Sequence, residues 1–268
     1  MKSSLIHFEN LSFAYPSQQR NILQQLSLEI PKQSVTIILG PNGVGKTTLL
    51  NLLLGWQKPQ EGQIFLDGHP MRHYSRRDLG KRIALVPQRE YITFGFTLLE
   101  YVLLGRAPHM KPLEMPGDDD VAIAMQSLEK VGIADLAERL VTDLSGGEQQ
   151  LVLVARALAQ GSDILLMDEP TSHLDLKNKV RFMRMVRSLI RSGHTILITT
   201  HEPEVAAALA DYVVLLVDGR KTYAGPADEM LNETYLSETY GIMVRTTMAS
   251  GKKIILWDND TDDTNSNT

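Results

Sequence analysis

The sequence predicts an α/β fold with a mostly parallel sheet, an antiparallel β subdomain and an inserted α-helical subdomain. Three short runs of aliphatic and β-branched residues, at 35–39, 163–168 and 195–200, are typical of buried parallel strands. Alternating polar and apolar residues near the amino terminus predict the antiparallel part, and residues 89–160 have a helical composition. A chain of 268 residues, 43% of them hydrophobic, is long enough for one large domain with such an insertion.

The antiparallel part comes first in the chain. Residues 5–15, 26–30 and 63–66 each alternate apolar and polar side chains, so they predict three strands of a small sheet. Tyr15 lies at the end of the first run. An aromatic ring just before a loop can stack on an adenine, or it can be a structural residue, and the sequence alone leaves both interpretations open.

A glycine-rich loop after the run at 35–39 predicts phosphate binding. The sequence from Gly40 to Thr47 fits the pattern G-x-x-x-x-G-K-[ST], and apolar residues at helical spacing follow it. Glycines let several backbone N–H groups face one point, where the helix N-terminus adds partial positive charge. We expect Lys46 to reach the β- and γ-phosphates and the Thr47 hydroxyl to bind Mg²⁺. The nucleotide-binding residues predicted here are Gly40, Pro41, Asn42, Gly43, Val44, Gly45, Lys46, Thr47 and Thr48.

A fourth apolar run, at 82–86, is stopped by Pro87 and followed directly by Gln88. The carbonyl oxygen of a neutral amide at a strand end can bind Mg²⁺ or a water molecule, which makes Gln88 a candidate for the site. The alternative is that Gln88 is an ordinary polar residue of a loop. Farther along, residues 116–120 predict the start of a helix, with three carboxylates in or near its first turn, and apolar residues at helical spacing over 121–131 make that helix amphipathic.

The stretch Leu144-Ser-Gly-Gly-Glu148 predicts the start of another helix, over 151–158. Ser145 and Glu148 have the spacing of a capping box, which by itself indicates only a well-capped helix. A capping box does not require Gly146 and Gly147, however. Two glycines leave the helix N-terminus bare, so that an anion can approach its N–H groups closely.

The run at 163–168 ends in two carboxylates, Asp168 and the adjoining Glu169. His201 follows the run at 195–200. The carboxyl ends of parallel strands face the crevice where ligands bind in open α/β sheets. We expect Asp168 to hold Mg²⁺ and Glu169 to polarise an attacking water molecule. His201 shares this edge of the sheet and can donate to a γ-phosphate oxygen.

Composition excludes several classes of protein. The net charge of −5 argues against a broad nucleic-acid-binding surface, and without cysteine the chain has no disulfide or thiol chemistry. The first residues lack the apolar segment of a secretion signal, and no window reaches the roughly 18 apolar residues of a membrane span. A cytoplasmic location is therefore expected. Residues 242–257 predict a hairpin, and residues 258–268, which include no apolar residue, predict a disordered acidic tail.

Together and in this order, the motifs resemble those of the nucleotide-binding subunit of ABC transporters, over Tyr15 to about residue 230. The resemblance implies a P-loop NTPase (RecA-like) core that binds ATP and Mg²⁺ and hydrolyses ATP. The signature motif reads LSGGE here, where LSGGQ is the commoner form. The roles implied are Tyr15 for adenine stacking, Gly40–Thr48 for Walker A, Gln88 for the Q-loop, Leu144–Glu148 for the signature, Ile164–Asp168 for Walker B, Glu169 for the catalytic base, Ser172–Asp175 for the D-loop and His201 for the switch histidine.

The resemblance also implies a division of the chain. Residues 1–256 are expected to form a single ABC-type ATPase domain, followed by the acidic tail. Its parts are the nucleotide-binding core with the antiparallel subdomain (1–88 and 161–234), the helical signature subdomain (89–160), a carboxyl-terminal hairpin (235–257) and the tail (258–268).

A narrower resemblance covers residues 96–109, FTLLEYVLLGRAPH. This stretch is similar to F-T-V-x-E-x-V-x-x-G-R-x-P-H in the ATPases of iron–siderophore, haem and cobalamin importers, and to the molybdate/tungstate importers of the same permease fold. In such importers the segment lies near the groove that receives the permease's coupling helix. The resemblance implies a homodimer on the cytoplasmic face of the membrane, bound to permease subunits and served indirectly by a substrate-binding protein, with no nucleic-acid partner.

Other functions share some of these motifs. DNA-repair and chromosome-structure ATPases carry a coiled coil or zinc insert before the signature, but residues 89–143 have neither heptads nor cysteines. Translation-associated ABC proteins have two cassettes in tandem, whereas this sequence has one. Against an ABC exporter, only the resemblance at 96–109 speaks. A non-enzymatic binding module is disfavoured because Lys46 and Glu169 are both present.

Overall fold

The structure is a computed structural model that describes residues 4–16 and 21–257. The strands of this part are β1 (Ser4–Phe13), β2 (Leu23–Pro31), β3 (Val35–Leu39), β4 (Glu61–Leu66), β5 (His69–Pro70), β6 (Ile83–Val86), β7 (Ile164–Asp168), β8 (Thr195–Thr200), β9 (Tyr212–Leu216), β10 (Thr222–Pro226), β11 (Val244–Ala249) and β12 (Lys252–Trp257). Its α-helices are α1 (Lys46–Leu53), α2 (Arg76–Arg82), α3 (Leu98–Leu103), α4 (Asp118–Val131), α5 (Gly146–Ala159), α6 (Leu176–Arg191), α7 (Pro203–Leu209), α8 (Ala227–Met230) and α9 (Glu233–Tyr240).

The central sheet has the strand order β10-β9-β3-β8-β7-β6 and is parallel except for β10, which pairs antiparallel with β9. Strands β3 and β8 are buried along their whole length because helices cover both faces of the sheet. In the register, Leu39 pairs with Thr200, and Asp168 pairs with Thr199. The residues that follow β3, β7 and β8 therefore lie side by side at one edge, as the sequence predicts.

A separate antiparallel sheet, in the order β2-β1-β4-β5, contains the three strands predicted near the amino terminus. Strand β1 is one continuous strand that ends at Phe13, so Tyr15 lies just beyond it. Helix α1 lies between the two sheets: Leu49 and Leu50 share one core with Phe8 of the antiparallel sheet and Ile38 of the central sheet. The phosphate loop is thus attached to a helix that is buried on both sides.

Helices α4 and α5 start where the sequence predicts. Helix α4, expected to start within 116–120 and to continue over 121–131, starts at Asp118, and α5, expected to start at 144–148, starts at Gly146. The exposed first turn of each consists of polar residues or glycine, whereas apolar spacing marks only the buried turns. Ser145 and Glu148 form the expected capping box, and Gly132 ends α4 in the left-handed conformation with φ 73°.

The carboxyl-terminal hairpin predicted over 242–257 is confirmed as β11 and β12, which pack against α9 and α7 respectively. Of the wider range 235–257, residues 235–240 belong to helix α9 instead, which Asn232 caps. Helices α2, α7, α8 and α9 were not expected from the sequence, although Ser75 and Asp78 form a capping box that starts α2. The acidic tail, residues 258–268, lies outside the described residues. The division of the chain into core, helical and carboxyl-terminal parts stays a prediction.

Candidate active site

The phosphate loop joins β3 to α1. Gly45 immediately precedes the helix with φ 112°, and a Cβ at this position would lie 2.9 Å from Cγ2 of Ile22, so glycine is required both for the backbone angle and for space. In the described part of the chain, no hydrogen bond occupies the backbone N–H groups of residues 45–48. Buried N–H groups without a partner at a helix N-terminus suit an anion. The loop therefore fits a phosphate.

Lys46 extends back over this loop and is only 5% exposed. Its Nζ donates to the carbonyl oxygens of Gly40 at 2.8 Å and Pro41 at 3.1 Å. It also forms an ion pair with Glu169, with 3.2 Å between Nζ and Oε1. The ammonium group is thus fixed between the phosphate loop and the carboxylate that follows β7.

Asp168 and Glu169 end strand β7 and are held by its neighbour β8. The hydroxyl of the buried Thr199 donates to Asp168 Oδ1 at 2.5 Å and accepts from the Glu169 N–H at 3.1 Å. Glu169 has a left-handed backbone with φ 44°, an angle that few residues other than glycine adopt. The Thr47 hydroxyl donates to Asp168 Oδ2 at 2.9 Å. Both oxygens of Asp168 are therefore fixed beside the phosphate loop.

His201 and Gln88 both contact the other oxygen of Glu169. His201 Nδ1 lies 3.0 Å from Glu169 Oε2, and Gln88 Nε2 lies 3.4 Å from the same atom. The hydroxyl of the partly buried Tyr240 donates to the carbonyl oxygen of His201 at 3.1 Å, and desolvation together with nearby carboxylates raises the pKa of Tyr240. This tyrosine stays protonated and holds the backbone of the histidine. Gln88 thus contacts Glu169 rather than Asp168.

The signature residues lie at the N-terminus of α5, on the helical region. Ser145 caps the helix, and Glu148 Oε2 accepts from both the Ser145 hydroxyl at 2.7 Å and its N–H at 2.8 Å. These two hydrogen bonds lower the pKa of Glu148. Gly147 packs against α6, because a Cβ there would lie 2.6 Å from Nδ2 of Asn178. Within residues 4–16 and 21–257, no hydrogen bond or ion pair joins Ser145, Gly146, Gly147 or Glu148 to the phosphate loop.

A cleft of 340 Å³ separates the signature from the catalytic edge. Gly146 lines its one side, while Gln88, Glu169 and the D-loop residues Ser172 and His173 line the other. The structure therefore brings Lys46, Thr47, Asp168, Glu169, Gln88 and His201 into one contact network and leaves the signature across the cleft.

Tyr15 lies near the phosphate loop but makes structural contacts. Its ring meets Phe13 edge to face at 4.9 Å between centroids, and its hydroxyl oxygen lies 3.5 Å from Nδ2 of Asn51 on α1. These contacts favour the structural interpretation without testing the adenine contact, which stays a prediction.

Mg²⁺ would find a partial set of ligands at this edge. Thr47 and Asp168 present oxygen atoms within 2.9 Å of each other, and oxygen is what Mg²⁺ prefers. The described residues include no group of three or more His, Cys, Asp and Glu side chains that could hold a metal ion. Mg²⁺ usually takes one or two protein oxygens and completes its shell with phosphate and water, so the pair fits that mode of binding.

Thr199 and Glu202, which the sequence did not single out, complete the network together with Ser172 of the predicted D-loop. Thr199 bonds the Asp168 carboxylate and the Glu169 N–H, and the Ser172 hydroxyl donates to the Glu169 carbonyl oxygen at 3.0 Å. Glu202, next to His201, accepts from the Thr171 hydroxyl at 3.0 Å and pairs with Lys179 on α6. The sequence offered one signal for Thr199 and Glu202, which is that both lie within two residues of the predicted site residue His201.

Comparison with known proteins identifies the family. The family model described as ABC transporter matches residues 23–172, from β2 through the phosphate loop and signature to the D-loop. This chain belongs to the ABC transporter family. The resemblance predicted from the motifs is thereby confirmed, and so is the fold: the chain is an ABC ATPase, with the ATP-binding cassette of that family.

Relatives of this ABC ATPase match over most of its length. It is 41% identical over 219 residues to the probable iron chelatin transport ATP-binding protein of Helicobacter pylori, covering 80% of this chain and 84% of the relative. It is 35% identical over 235 residues to the iron(3+)-hydroxamate import ATP-binding protein of Bacillus subtilis, covering 87% of each. It is 38% identical to the hemin import ATP-binding protein of Nocardia farcinica, covering 82% of this chain and 76% of the relative.

Solved structures agree with this assignment of the ABC ATPase. An inward-facing ABC transporter described as of the metal-chelate type matches with a TM-score of 0.84 and 31% identity, covering 96% of this chain and 97% of the other. An ATP-binding cassette in its ADP conformation matches with a TM-score of 0.79 and 26% identity, covering 88% and 96%. Among the described residues of the ABC ATPase, no helix is both long and apolar enough to cross a membrane.

The importer-like stretch 96–109 shapes a groove in the ABC ATPase. Gly105 packs so closely on α5 that a Cβ would lie 2.3 Å from the carbonyl oxygen of Arg156. Arg106 Nη1 donates to the Ala159 carbonyl oxygen at 2.8 Å, and His109 Nε2 lies 2.8 Å from that of Gln160. These side chains satisfy carbonyl groups at the end of α5.

The groove has a volume of 630 Å³ and combines apolar walls with the residues next to Gln88. Trp56 is 63% exposed and Leu104 48% exposed, so both present apolar surface to the groove. The lining also includes Leu54, Leu79, Leu85, Pro87, Arg89, Glu90 and Pro108.

Proposed function

We propose that this ABC ATPase is the ATP-hydrolysing subunit of an importer for a metal chelate, such as an iron–siderophore complex, haem or cobalamin. The observation that carries the catalytic part is the convergence of Lys46, His201 and Gln88 on the carboxylate of Glu169. A carboxylate held by three neighbours at the end of a buried strand is suited to orient a water molecule for attack on a phosphate.

Each site residue takes a role that its position supports. Lys46 and the free N–H groups of residues 45–48 stabilise the negative charge of the triphosphate, Glu169 acts as the base, and His201 donates to the γ-phosphate. Thr47, Asp168 and Gln88 would hold Mg²⁺, which when bound neutralises phosphate charge. Tyr15 is proposed to face the adenine. Since phosphoryl transfer requires mostly positioning and charge stabilisation, these fixed side chains supply what the reaction needs.

The signature motif points to a homodimer. Phosphate loop and signature each present a helix N-terminus suited to an anion, and among the described residues of one chain no hydrogen bond or ion pair joins them. A nucleotide on the phosphate loop of one copy can be reached by Ser145, Gly146 and Gly147 of a second copy. ATP binding then closes the dimer because the closed state has more contacts with the triphosphate, and hydrolysis removes those contacts.

The groove beside Gln88 is proposed to receive a helix of the membrane permease. Exposed Trp56 and Leu104 form apolar walls, which fit the apolar face of an amphipathic helix. Gln88 lies between the two sites: it follows Pro87, which lines this groove, and its side chain contacts Glu169. A movement of the groove can therefore reach the catalytic carboxylate through this single residue. With a permease bound in this groove, the subunit would lie at the cytoplasmic face of the membrane.

The substrate class rests on the relatives, whose names cite iron chelatin, iron(3+)-hydroxamate and hemin. A substrate-binding protein then delivers the chelate to the permease. A molybdate/tungstate importer is the second candidate, because its ATPases resemble this chain over 96–109. An ABC exporter is less favoured, although one with ATP bound matches the fold with a TM-score of 0.72.

Co-purification of the chain with the permease encoded beside it, followed by ATPase assays in vesicles, tests this proposal. Binding proteins loaded with ferric hydroxamate, haem, cobalamin or molybdate are added in turn. One metal chelate is expected to stimulate phosphate release. Stimulation by molybdate alone would support the second candidate, and stimulation by none of them, with a permease that exports, would refute import.

A further inference from the structure

Helix α6 carries an unusual concentration of positive charge. Its 16 residues include six cations and no carboxylate, although the whole chain has a net charge of −5. The cations are Lys177, Lys179, Arg181, Arg184, Arg187 and Arg191. A helix of this composition repels itself electrostatically unless its charges find partners.

Three of these cations have partners in the fold. Lys179 pairs with Glu202, and Arg181 Nη2 donates to the Gly132 carbonyl oxygen at 2.8 Å at the end of α4. Arg187 Nη2 donates to the Ala208 carbonyl oxygen at 2.6 Å near the end of α7. These three contacts attach α6 to its neighbours and account for half of its charge.

The other three, Lys177, Arg184 and Arg191, are exposed and have no hydrogen-bond or ion-pair partner in residues 4–16 and 21–257. They are seven residues apart, so they lie along one stripe of the helix, with successive members about 10 Å apart. We call this stripe, with the exposed Ser188 between its last two members, the basic face of α6.

The same chain contains a segment of the opposite charge. Residues 258–268 include Asp258, Asp260, Asp262 and Asp263 and no cation. The charges of the two segments are therefore complementary.

The segment also begins within reach of the helix. It follows β12, which packs on α7, and α7 packs on α6. The axes of neighbouring packed elements lie about 10 Å apart, so the two steps from β12 to α6 amount to about 20 Å between axes. Eleven extended residues span up to roughly 36 Å.

We infer that the acidic segment 258–268 docks on the basic face of α6 in the same chain. The contact requires neither ATP hydrolysis nor a transport substrate, so it is independent of the proposed function. It is an exposed electrostatic contact, and it therefore weakens as salt rises.

Disulfide trapping tests this contact cleanly because the chain has no cysteine. The variant Ser188→Cys with Thr261→Cys places one thiol on the basic face and one in the acidic segment without removing a charge. We expect an intramolecular disulfide to form under mild oxidation at low salt. The matched control carries the same two cysteines with Asp258, Asp260, Asp262 and Asp263 changed to Asn, and there we expect formation at least tenfold slower.

Charge reversal separates docking from simple proximity. Arg184→Glu with Arg191→Glu should slow the trapping as strongly as 1 M salt does, and changing the four aspartates to Lys in that background should restore it. Equal rates in all variants, or disulfides only between chains, would overturn the inference. The inference would also be overturned if the disulfide failed to form and the full chain bound to phosphatidylglycerol vesicles, with this binding abolished by Arg184→Glu with Arg191→Glu. The basic face of α6 would then serve an anionic membrane.

Discussion

Lys46 and Glu169 form an ion pair with 3.2 Å between Nζ and Oε1, and both side chains are largely shielded from water. The lysine follows strand β3 and the glutamate follows β7, so the pair joins the phosphate loop to the proposed base. A triphosphate that approaches Lys46 competes with Glu169 for the same cation. We therefore expect ATP binding to release the carboxylate, which would then be available to a water molecule.

Glu169→Gln should retain ATP binding and lose most hydrolysis. The amide still packs against Lys46, but it cannot accept a proton, and general-base catalysis contributes about 10²–10⁴-fold to a rate. Titration with a fluorescent ATP analogue and a phosphate-release assay measure the two properties separately. In the presence of ATP the variant should also accumulate as a dimer, which size-exclusion chromatography detects.

The control for this prediction is Glu202→Gln. Glu202 is a second, partly buried acid at the same edge, but it contacts Thr171 and Lys179 rather than Lys46. A comparable loss of hydrolysis in both variants, or near wild-type turnover in Glu169→Gln, would remove Glu169 from its proposed role.

The catalytic edge was predictable because of a property of parallel sheets. Lys46, Asp168, Glu169 and His201 all follow buried apolar strands, and the carboxyl ends of such strands meet at one edge. Thr199 was not predictable in the same way. A threonine in an apolar run is indistinguishable from any other β-branched strand residue. The residue to which its hydroxyl bonds depends on the register of β7 and β8, which the sequence does not show. A contact between the signature and a nucleotide on a second copy is likewise invisible in a single chain.

Thr199→Val should weaken the use of Mg²⁺ more than the binding of ATP. The valine keeps the shape of the threonine but removes the hydroxyl that bonds Asp168 and the Glu169 N–H. A hydrogen bond to a charged group contributes about 1.5–3 kcal/mol, so the Mg²⁺ concentration for half-maximal activity should rise about tenfold or more. Thr199→Ser, which keeps the hydroxyl, should restore the wild-type value. Equal Mg²⁺ dependence in all three proteins would show that the hydroxyl is only structural.

Glu148→Gln should lower the KM for ATP. Glu148 holds the Ser145 hydroxyl and places a negative charge where the signature is proposed to meet a triphosphate. Removing one like charge is worth about 1 kcal/mol at close range in water, or roughly a fivefold change in KM. Steady-state ATPase assays measure it, with Glu138→Gln as an exposed acid outside the signature. An unchanged or higher KM would contradict a position of this carboxylate near the phosphates.

Gly105→Ala should destabilise the fold by about 1–3 kcal/mol, because the added Cβ would overlap the Arg156 carbonyl oxygen at 2.3 Å. Gly95→Ala is the matched control, since a Cβ at Gly95 meets no atom within 4 Å. Urea denaturation followed by circular dichroism gives the free energy of unfolding of each variant. If both substitutions have the same effect, the close packing of the importer-like segment on α5 is not what requires glycine.

Asp120→Asn should destabilise the protein at pH 7 and lose this effect in acid. Asp120 accepts from Arg106 Nε at 2.8 Å and from the Gly117 N–H at 3.1 Å, and first the arginine and then the backbone lower its pKa. A carboxyl whose pKa is lower in the folded state stabilises the fold above its unfolded pKa, and this contribution disappears as pH falls through the folded value. The Tm difference between wild type and Asp120→Asn should therefore be constant near neutrality and shrink below about pH 4. Asp119→Asn, on the same exposed first turn of α4, should show no such dependence on pH, and equal profiles for the two variants would mean that the bond to Arg106 does not stabilise the folded state.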